Sequence, residues 1–233
     1  MDPRHLNIDK RLTGFCVYCG KKPDTRDHVP SRVFLDEPMP ANVPVVESCE
    51  SCNEGFSLDE EYVACFLECV LCGSTDPEQL EREKVRRILT DKSPLRVRIE
   101  SSRKNCDDGS TAWMPEESRV RNIVLKLGRG HAAFELTLPQ LEEPSHVNAM
   151  PLSLMSKAQR DMFERAGTGE IRGWPEIGGR AFLRACGARP YEHQAGPWVV
   201  IQNGSYRYSV DQHGGVLVRM VLWEYLAAEV EWG

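Results

Sequence analysis

The spacing of apolar and polar residues changes along the chain and predicts a mixture of helices and strands. Apolar residues recur at helical intervals in four stretches, one of which begins with a proline. These predicted helices lie at 58–67, 77–90, 120–127 and 157–165. Short β-branched or alternating runs at 42–46 and 95–99 predict strands. Gly128 is expected to end the third helix.

The C-terminal part of the chain has the pattern of an antiparallel meander. Asn203-Gly204 lies between the apolar runs 198–201 and 206–210, which is a strong hairpin signal. Two further strands are predicted at 216–225 and 228–232. The sequence therefore predicts an α+β fold, in which a mixed α+β region ends in this meander.

Two cysteine pairs with the same spacing occur near the N-terminus. They are Cys16-Val-Tyr-Cys19 and Cys49-Glu-Ser-Cys52. Two residues between thiolates let both sulfurs reach one tetrahedral zinc, so the spacing predicts a structural zinc site. The alternative is four unrelated core thiols, since free cysteine is commonly buried. That alternative also applies to Cys65, Cys69 and Cys72, for which we favour it.

Between and after these pairs lie residues suited to hydrolytic chemistry. Asp27 and Asn53 offer oxygen ligands for a hard divalent cation, and His28 can accept a proton near neutral pH. Adjacent side chains in an extended segment point to opposite faces, so a shared metal site requires a bend after Asp27. The alternative is a turn aspartate beside a surface histidine. The surrounding cysteine pattern favours a joint site.

These residues together resemble the zinc-knuckle HNH endonucleases. The resemblance rests on Cys-x-x-Cys, Asp-His with Pro30 two residues later, Asn42 before a strand, and Cys-x-x-Cys followed by Asn53. It implies a ββα-metal module over residues 12–75, of a bacterial subgroup. One position departs from the commonest family pattern, because Asn53 stands in place of a histidine. An amide oxygen can still bind a hard cation.

The resemblance also implies roles for single residues. His28 is the expected general base. Asp27 and Asn53 are expected to hold Mg²⁺ or another divalent metal at the scissile phosphate, with Asn53 also counted among the catalytic residues. Asn42 is expected to brace the loop that carries the histidine. Glu60 is an accessory candidate, because it lies about two helical turns after Asn53.

The remaining residues, 76–233, are expected to form an accessory α+β domain that positions DNA or a partner. The whole chain is acidic, with a formal charge of −6, which argues against general affinity for nucleic acid. Residues 81–104 reverse this balance with nine basic and four acidic residues. Arg86, Arg87 and Arg98 are the candidate DNA contacts from this segment. The alternative is a solvated helix face with ordinary ion pairs.

The sequence favours a cytoplasmic protein. It has no apolar stretch long enough for a membrane span and no apolar signal segment, and its nine cysteines suit a reducing compartment. The expected partner is DNA, and the oligomeric state is left open, with a homodimer as one option. Two functions follow: a metal-dependent HNH-type endonuclease, or a non-catalytic zinc-knuckle module that binds nucleic acid or protein. The joint presence of Asp27, His28 and Asn53 favours the endonuclease.

Overall fold

The computed structural model describes residues 14–107, 109–165, 180, 182, 186–187, 194–212 and 214–233. The chain forms two compact units. The first contains the described residues of Met1–Gly55 and Val124–Gly233, and the second is Phe56–Ile123. The domain boundary predicted near residue 75 lies inside the second unit. The glycine-rich segment at 167–179 lies outside the described residues.

The described residues contain five α-helices and ten β-strands, so the fold is of the α+β type. The helices are α1 (Glu50–Cys72), α2 (Glu83–Asp91), α3 (Ser93–Ser101), α4 (Glu117–Leu136) and α5 (Lys157–Glu164). The strands are β1 (Thr25–His28), β2 (Val45–Ser48), β3 (Arg103–Asn105), β4 (Thr111–Trp113), β5 (His146–Pro151), β6 (Gln194–Ala195), β7 (Trp198–Gln202), β8 (Tyr206–Gln212), β9 (Val216–Leu222) and β10 (Leu226–Trp232).

The N-terminal part of the first unit is a two-stranded sheet followed by a helix. β1 and β2 pair antiparallel, with Asp27 opposite Val46 and His28 opposite Val45. α1 starts two residues after β2 ends. Within β1, Asp27 is buried while its neighbours Arg26 and His28 are exposed and half-buried, as the alternation of strand side chains requires.

The larger sheet of the first unit has six strands in the order β5-β10-β9-β8-β7-β6. Its last five strands in sequence form an antiparallel meander, which confirms the predicted C-terminal architecture. β5 pairs antiparallel with the outer edge of β10. A cluster of buried apolar side chains packs α5 and the preceding turn against the sheet, namely Leu152, Phe163, Trp198, Val221 and Ala227.

In the second unit, a buried carboxylate on α1 binds the chain segment that precedes α2. The Glu68 side chain is fully buried and accepts hydrogen bonds from the backbone nitrogens of Glu81 (2.8 Å) and Arg82 (2.7 Å). Arg82 also donates from Nη1 to the other oxygen at 2.6 Å. These bonds fix the chain that leads from α1 into α2.

The strand predicted at 95–99 is wrong, because these residues belong to α3. Leu95 and Ile99 are four residues apart and therefore share one helix face, on which Ile99 is fully buried. Val97 lies between them and is 65% exposed, whereas a strand would place it on the same face as the other two. Pro94 in the first turn is also suited to a helix start.

The helix end predicted at Gly128 is also wrong, since α4 continues to Leu136. Two glycines in this helix allow close packing. A Cβ at Gly128 would lie 3.0 Å from Cγ2 of Val230, and a Cβ at Gly130 would lie 2.7 Å from Cγ2 of Val29. The glycines therefore let α4 approach both β10 and the residue that follows β1.

A group of buried polar side chains lies between α4 and β8. His131 is fully buried, and its Nε2 lies 2.7 Å from the hydroxyl of Tyr206. Its ring stacks on Tyr208 with centroids 3.7 Å apart, and the Tyr208 hydroxyl donates to Glu135. Burial, with a smaller contribution from the charge of Lys126, holds the pKa of His131 well below its ordinary value of 6.5.

This lowered pKa predicts a loss of stability in acid. The unfolded chain takes up a proton at this position as the pH falls below about 6.5, whereas folded His131 stays neutral. The contribution of His131 to the free energy of unfolding is therefore complete above about pH 6.5. Below that pH it declines by about 1.4 kcal/mol for each pH unit. Urea unfolding at pH 7, 6 and 5 measures this slope. We expect His131→Gln to flatten this dependence of stability on pH. The control His146→Gln, at the exposed start of β5, should leave the dependence unchanged. Equal slopes in all three proteins would contradict the prediction.

Candidate functional site

The four N-terminal cysteines converge on one point. Their sulfur atoms all lie within 4.8 Å of one another, and Sγ of Cys19 is 3.7 Å from Sγ of Cys49. The first pair is presented by a tight turn, closed by a hydrogen bond from the Gly20 nitrogen to the Cys16 carbonyl. Cys49 immediately precedes α1, and Cys52 lies in its first turn. This group could hold a metal such as zinc.

The donor chemistry of the cluster suits a thiolate-bound metal. A hydrogen bond with the Ser51 hydroxyl, at 3.4 Å, is the largest cause that lowers the pKa of Cys49, to about 6. Burial beside the other thiols raises the pKa of Cys52. A bound cation favours the ionised form of every thiol in such a group, so metal binding and thiol deprotonation are coupled.

Asp27 points into the protein and is engaged there. Its side chain is 8% exposed, and Oδ2 accepts a hydrogen bond from the Tyr18 hydroxyl at 2.6 Å. The ammonium of Lys126 lies 2.8 Å from the same oxygen and donates to the Ser31 hydroxyl at 2.7 Å. Lys126 is 1% exposed, so carboxylate and ammonium form a buried ion pair.

His28 is the last residue of β1 and lies on the opposite face from Asp27. Its imidazole is half-buried, and its Nε2 is 3.3 Å from Nη2 of Arg32, whose side chain is exposed. Val29, the next residue, packs against Gly130 of α4. His28 thus lies half-buried at the end of β1, next to a residue that packs against α4.

Asn53 joins the start of α1 to β1. Its amide nitrogen donates to the Thr25 hydroxyl at 3.3 Å and to the Arg26 carbonyl at 3.4 Å. Because these bonds use the nitrogen, the amide oxygen is the atom with which Asn53 would bind a cation. Asn53 therefore contacts the start of β1, whereas His28 is the last residue of that strand.

These contacts fit a second, catalytic divalent ion poorly. Such an ion is attracted mainly by carboxylate charge, and the charge of Asp27 is compensated by Lys126. Within the part of the chain that the structure describes, the four cysteines are the group of three or more cysteine, histidine or acidic side chains whose ligand atoms converge. Among the described residues, the structure thus supports one metal centre, at the four cysteines.

The loop between β1 and β2 is anchored to the six-stranded sheet. Asn42, predicted to brace this loop, donates from its amide nitrogen to the Val200 carbonyl of β7 at 3.4 Å. Gln202 exchanges two hydrogen bonds with the backbone of Asp36, at 2.8 and 2.9 Å, and Ser205 donates to the Asp36 carboxylate at 2.6 Å. The sequence carries no local signal for these pairings.

Trp223 provides a further anchor for the same loop. It is the first of the three turn residues between β9 and β10, and both it and Glu224, the second, have positive φ (53° and 46°), which is uncommon for residues other than glycine. The Trp223 indole is buried, donates to the Phe34 carbonyl at 2.9 Å and meets the Phe34 ring edge-on. This packing compensates for the unfavourable backbone conformation of the turn.

The other predicted site residues lie in the second unit. Glu60 is half-buried on α1. Arg86 donates to the Leu80 carbonyl at 2.7 Å, and Arg87 and Arg98 pair with Glu83 and Glu116 at 3.1 and 3.0 Å. The ion pairs of Arg87 and Arg98 are typical of a solvated helix face, whereas Arg86 is half-buried. DNA binding by the three arginines stays a prediction. Cys65 and Cys69 are buried in α1, as expected for core thiols.

Comparison with family models, with curated proteins and with solved structures finds no match for this chain. None of the helices in the described ranges is both long and apolar enough to cross a membrane.

Proposed function

We propose that the chain is an endonuclease of the type it resembles, the zinc-knuckle HNH enzymes, and that it hydrolyses phosphodiester bonds in DNA with His28 as general base. The observation that carries this proposal is the position of His28. It ends the first strand of a strand–strand–helix segment, and the cysteines of the cluster lie before β1 and at the start of α1. Its Nε2 lies beside the exposed Arg32.

The proposed reaction uses water as the nucleophile. The His28 imidazole accepts a proton from water, because histidine is the side chain that ordinarily exchanges protons near neutral pH. The water oxygen forms a bond to phosphorus while the bond from phosphorus to the leaving sugar oxygen breaks. The leaving oxygen then takes a proton from solvent. The reaction changes no oxidation state, so it needs no redox partner.

Zinc at the four cysteines supplies folding free energy in this proposal, since thiolates at this spacing form closed structural sites. Binding of Mg²⁺ or another divalent ion by Asp27 and Asn53 stays a prediction. Its support is the amide oxygen of Asn53, while the ion pair of Asp27 with Lys126 weighs against it. The six-stranded sheet serves the site by holding the loop that follows His28.

The proposal is tested by replacing His28 with alanine. We expect parent protein to cut supercoiled plasmid or short duplexes in a panel of Mg²⁺, Mn²⁺, Ni²⁺ and no added ion, and His28→Ala to lose about 10²–10⁴-fold in rate. Zinc content and thermal stability should be retained, because His28 is half-buried and outside the cysteine cluster. His146→Ala, at an exposed histidine on β5, is the matched control. Equal cleavage by His28→Ala and parent would contradict the assignment.

The ion pair of Asp27 with Lys126 favours a second candidate function. A module that binds nucleic acid or protein without cutting needs no open metal ligand, so the ion-paired carboxylate of Asp27 suits a non-catalytic zinc-knuckle module. Parent protein that binds duplex DNA but does not cut it with any ion in the panel would make this the better reading.

A further inference from the structure

We propose that Arg32 is the phosphate-binding residue of this site, and that binding of the phosphate releases Nε2 of His28 to act as a base. This inference rests on the proposed function and adds the residue that recognises the substrate anion. It starts from the 3.3 Å contact between Nη2 of Arg32 and Nε2 of His28.

A hydrogen bond at this contact fixes which nitrogen of the neutral imidazole carries the proton. A guanidinium group has donors and no acceptor, so a hydrogen bond between these two groups requires Nε2 to be the unprotonated nitrogen. The proton of the neutral ring is then on Nδ1. Nε2 is the atom that would accept a proton from water, and in the free protein its lone pair is directed at Arg32.

The charges around β1 explain why an anion would approach this face. The carboxylate of Asp27 is on the opposite face of the strand, where Lys126 compensates its charge. On the face of His28, the exposed residues include Arg26 and Arg32. Opposite Arg26, Glu47 of β2 is half-buried, and its carboxylate accepts a hydrogen bond from the Gly14 nitrogen at 2.6 Å. Beside His28 itself, a phosphate therefore meets the positive charge of Arg32, and β1 contributes no carboxylate to this face.

The backbone of Arg32 is well supported. It begins a short 3₁₀ turn ending at Phe34, whose ring is fully buried and whose carbonyl accepts the hydrogen bond from Trp223. Two residues later, Asp36 is held by Gln202 and Ser205. The backbone of Arg32 is therefore held near His28, so its guanidinium can reach a phosphate that lies beside the imidazole.

Substrate binding then changes the partner of Arg32. A phosphate offers two oxygens to the parallel N–H groups of a guanidinium, a stronger interaction than a single hydrogen bond to a neutral imidazole. When Arg32 turns to the phosphate, its hydrogen bond to Nε2 is broken, and this nitrogen can accept the proton of the attacking water. The base is thereby exposed at the moment when the phosphate is in place.

The test compares Arg32→Ala and Arg32→Lys with Arg160→Ala, a matched control at an exposed arginine on α5. Binding of a short fluorescent duplex is measured by anisotropy across a salt series without added divalent ion, and cleavage is measured with the parent's best ion. We expect Arg32→Ala to reduce the slope of log affinity against log salt by about 1. Its cleavage rate should fall by about 10²–10³-fold, the size typical of a lost oxyanion donor.

Arg32→Lys should recover salt-dependent binding but only part of the cleavage rate, because an ammonium cannot form the paired contact of a guanidinium. Arg160→Ala should match the parent in both measurements. If the parent cuts and Arg32→Ala equals it in binding and rate, the Arg32 proposal is overturned while the nuclease stands. If the parent binds without cutting and Arg32→Ala still loses salt-dependent affinity, the nuclease fails while phosphate binding by Arg32 stands. A parent that neither binds nor cuts overturns both.

Discussion

Replacement of Cys16 by serine is expected to abolish zinc binding and with it the folding of the N-terminal strands. Cys16 is fully buried, and its sulfur lies in the four-cysteine cluster. Structural zinc contributes an apparent free energy of about 10–16 kcal/mol in small zinc-binding peptides. That is comparable to the whole stability of a typical domain, about 5–15 kcal/mol. Loss of one ligand should therefore remove most of the native population.

The measurement combines elemental analysis with thermal unfolding. Parent protein should carry about one zinc per chain, as four thiolates around one ion require. Cys16→Ser should carry little zinc and should lose its cooperative transition or become insoluble. Cys106→Ser, at an exposed cysteine in the loop between β3 and β4, is the matched control and should behave as the parent. Soluble, folded parent protein without zinc would show that the cluster is a group of thiols and not a metal site.

Features fixed by short-range patterns could be predicted from the sequence. The cysteine spacing indicated the cluster, and Asn203-Gly204 indicated the hairpin that joins β7 and β8. The two helix errors arose because local patterns compete with packing. Alternation at 95–99 suggested a strand, and Gly128 suggested a helix end, although that glycine accommodates Val230 of a distant strand.

The surroundings of the candidate catalytic residues could not be predicted, because they depend on pairings across the chain. Lys126 meets Ser31 across 95 residues, and Trp223 meets Phe34 across 189. Neither residue belongs to a motif. A buried lysine inside an apolar helix pattern gives no indication of its partner until the fold brings α4 against β1. The sequence thus identified Asp27 as a potential ligand, and the structure shows the ammonium that competes for it.

Removal of that ammonium is the second change with a large expected effect. Lys126→Met should lower the free energy of unfolding by about 3–5 kcal/mol, because it leaves the carboxylate of Asp27 buried without its cation. Asp27→Asn should also destabilise, since it removes the carboxylate that lies 2.8 Å from the buried ammonium of Lys126. The double variant, Asp27→Asn with Lys126→Met, should recover part of the loss, because both buried charges are then removed together. Urea unfolding of the four proteins gives the coupling energy directly.

Lys157→Met, on the exposed face of α5, is the matched control and should change stability by less than about 0.5 kcal/mol. The cycle also bears on the catalytic role of Asp27. A structural carboxylate should show strong coupling to Lys126, and Asp27→Asn should leave the divalent-ion response of cleavage unchanged in protein that remains folded. If Asp27 is a metal ligand, its coupling to Lys126 should be weak, and cleavage by Asp27→Asn should require a higher concentration of the divalent ion. The short contacts of Asp27 with Tyr18 and Lys126, at 2.6 and 2.8 Å, lead us to expect the first result.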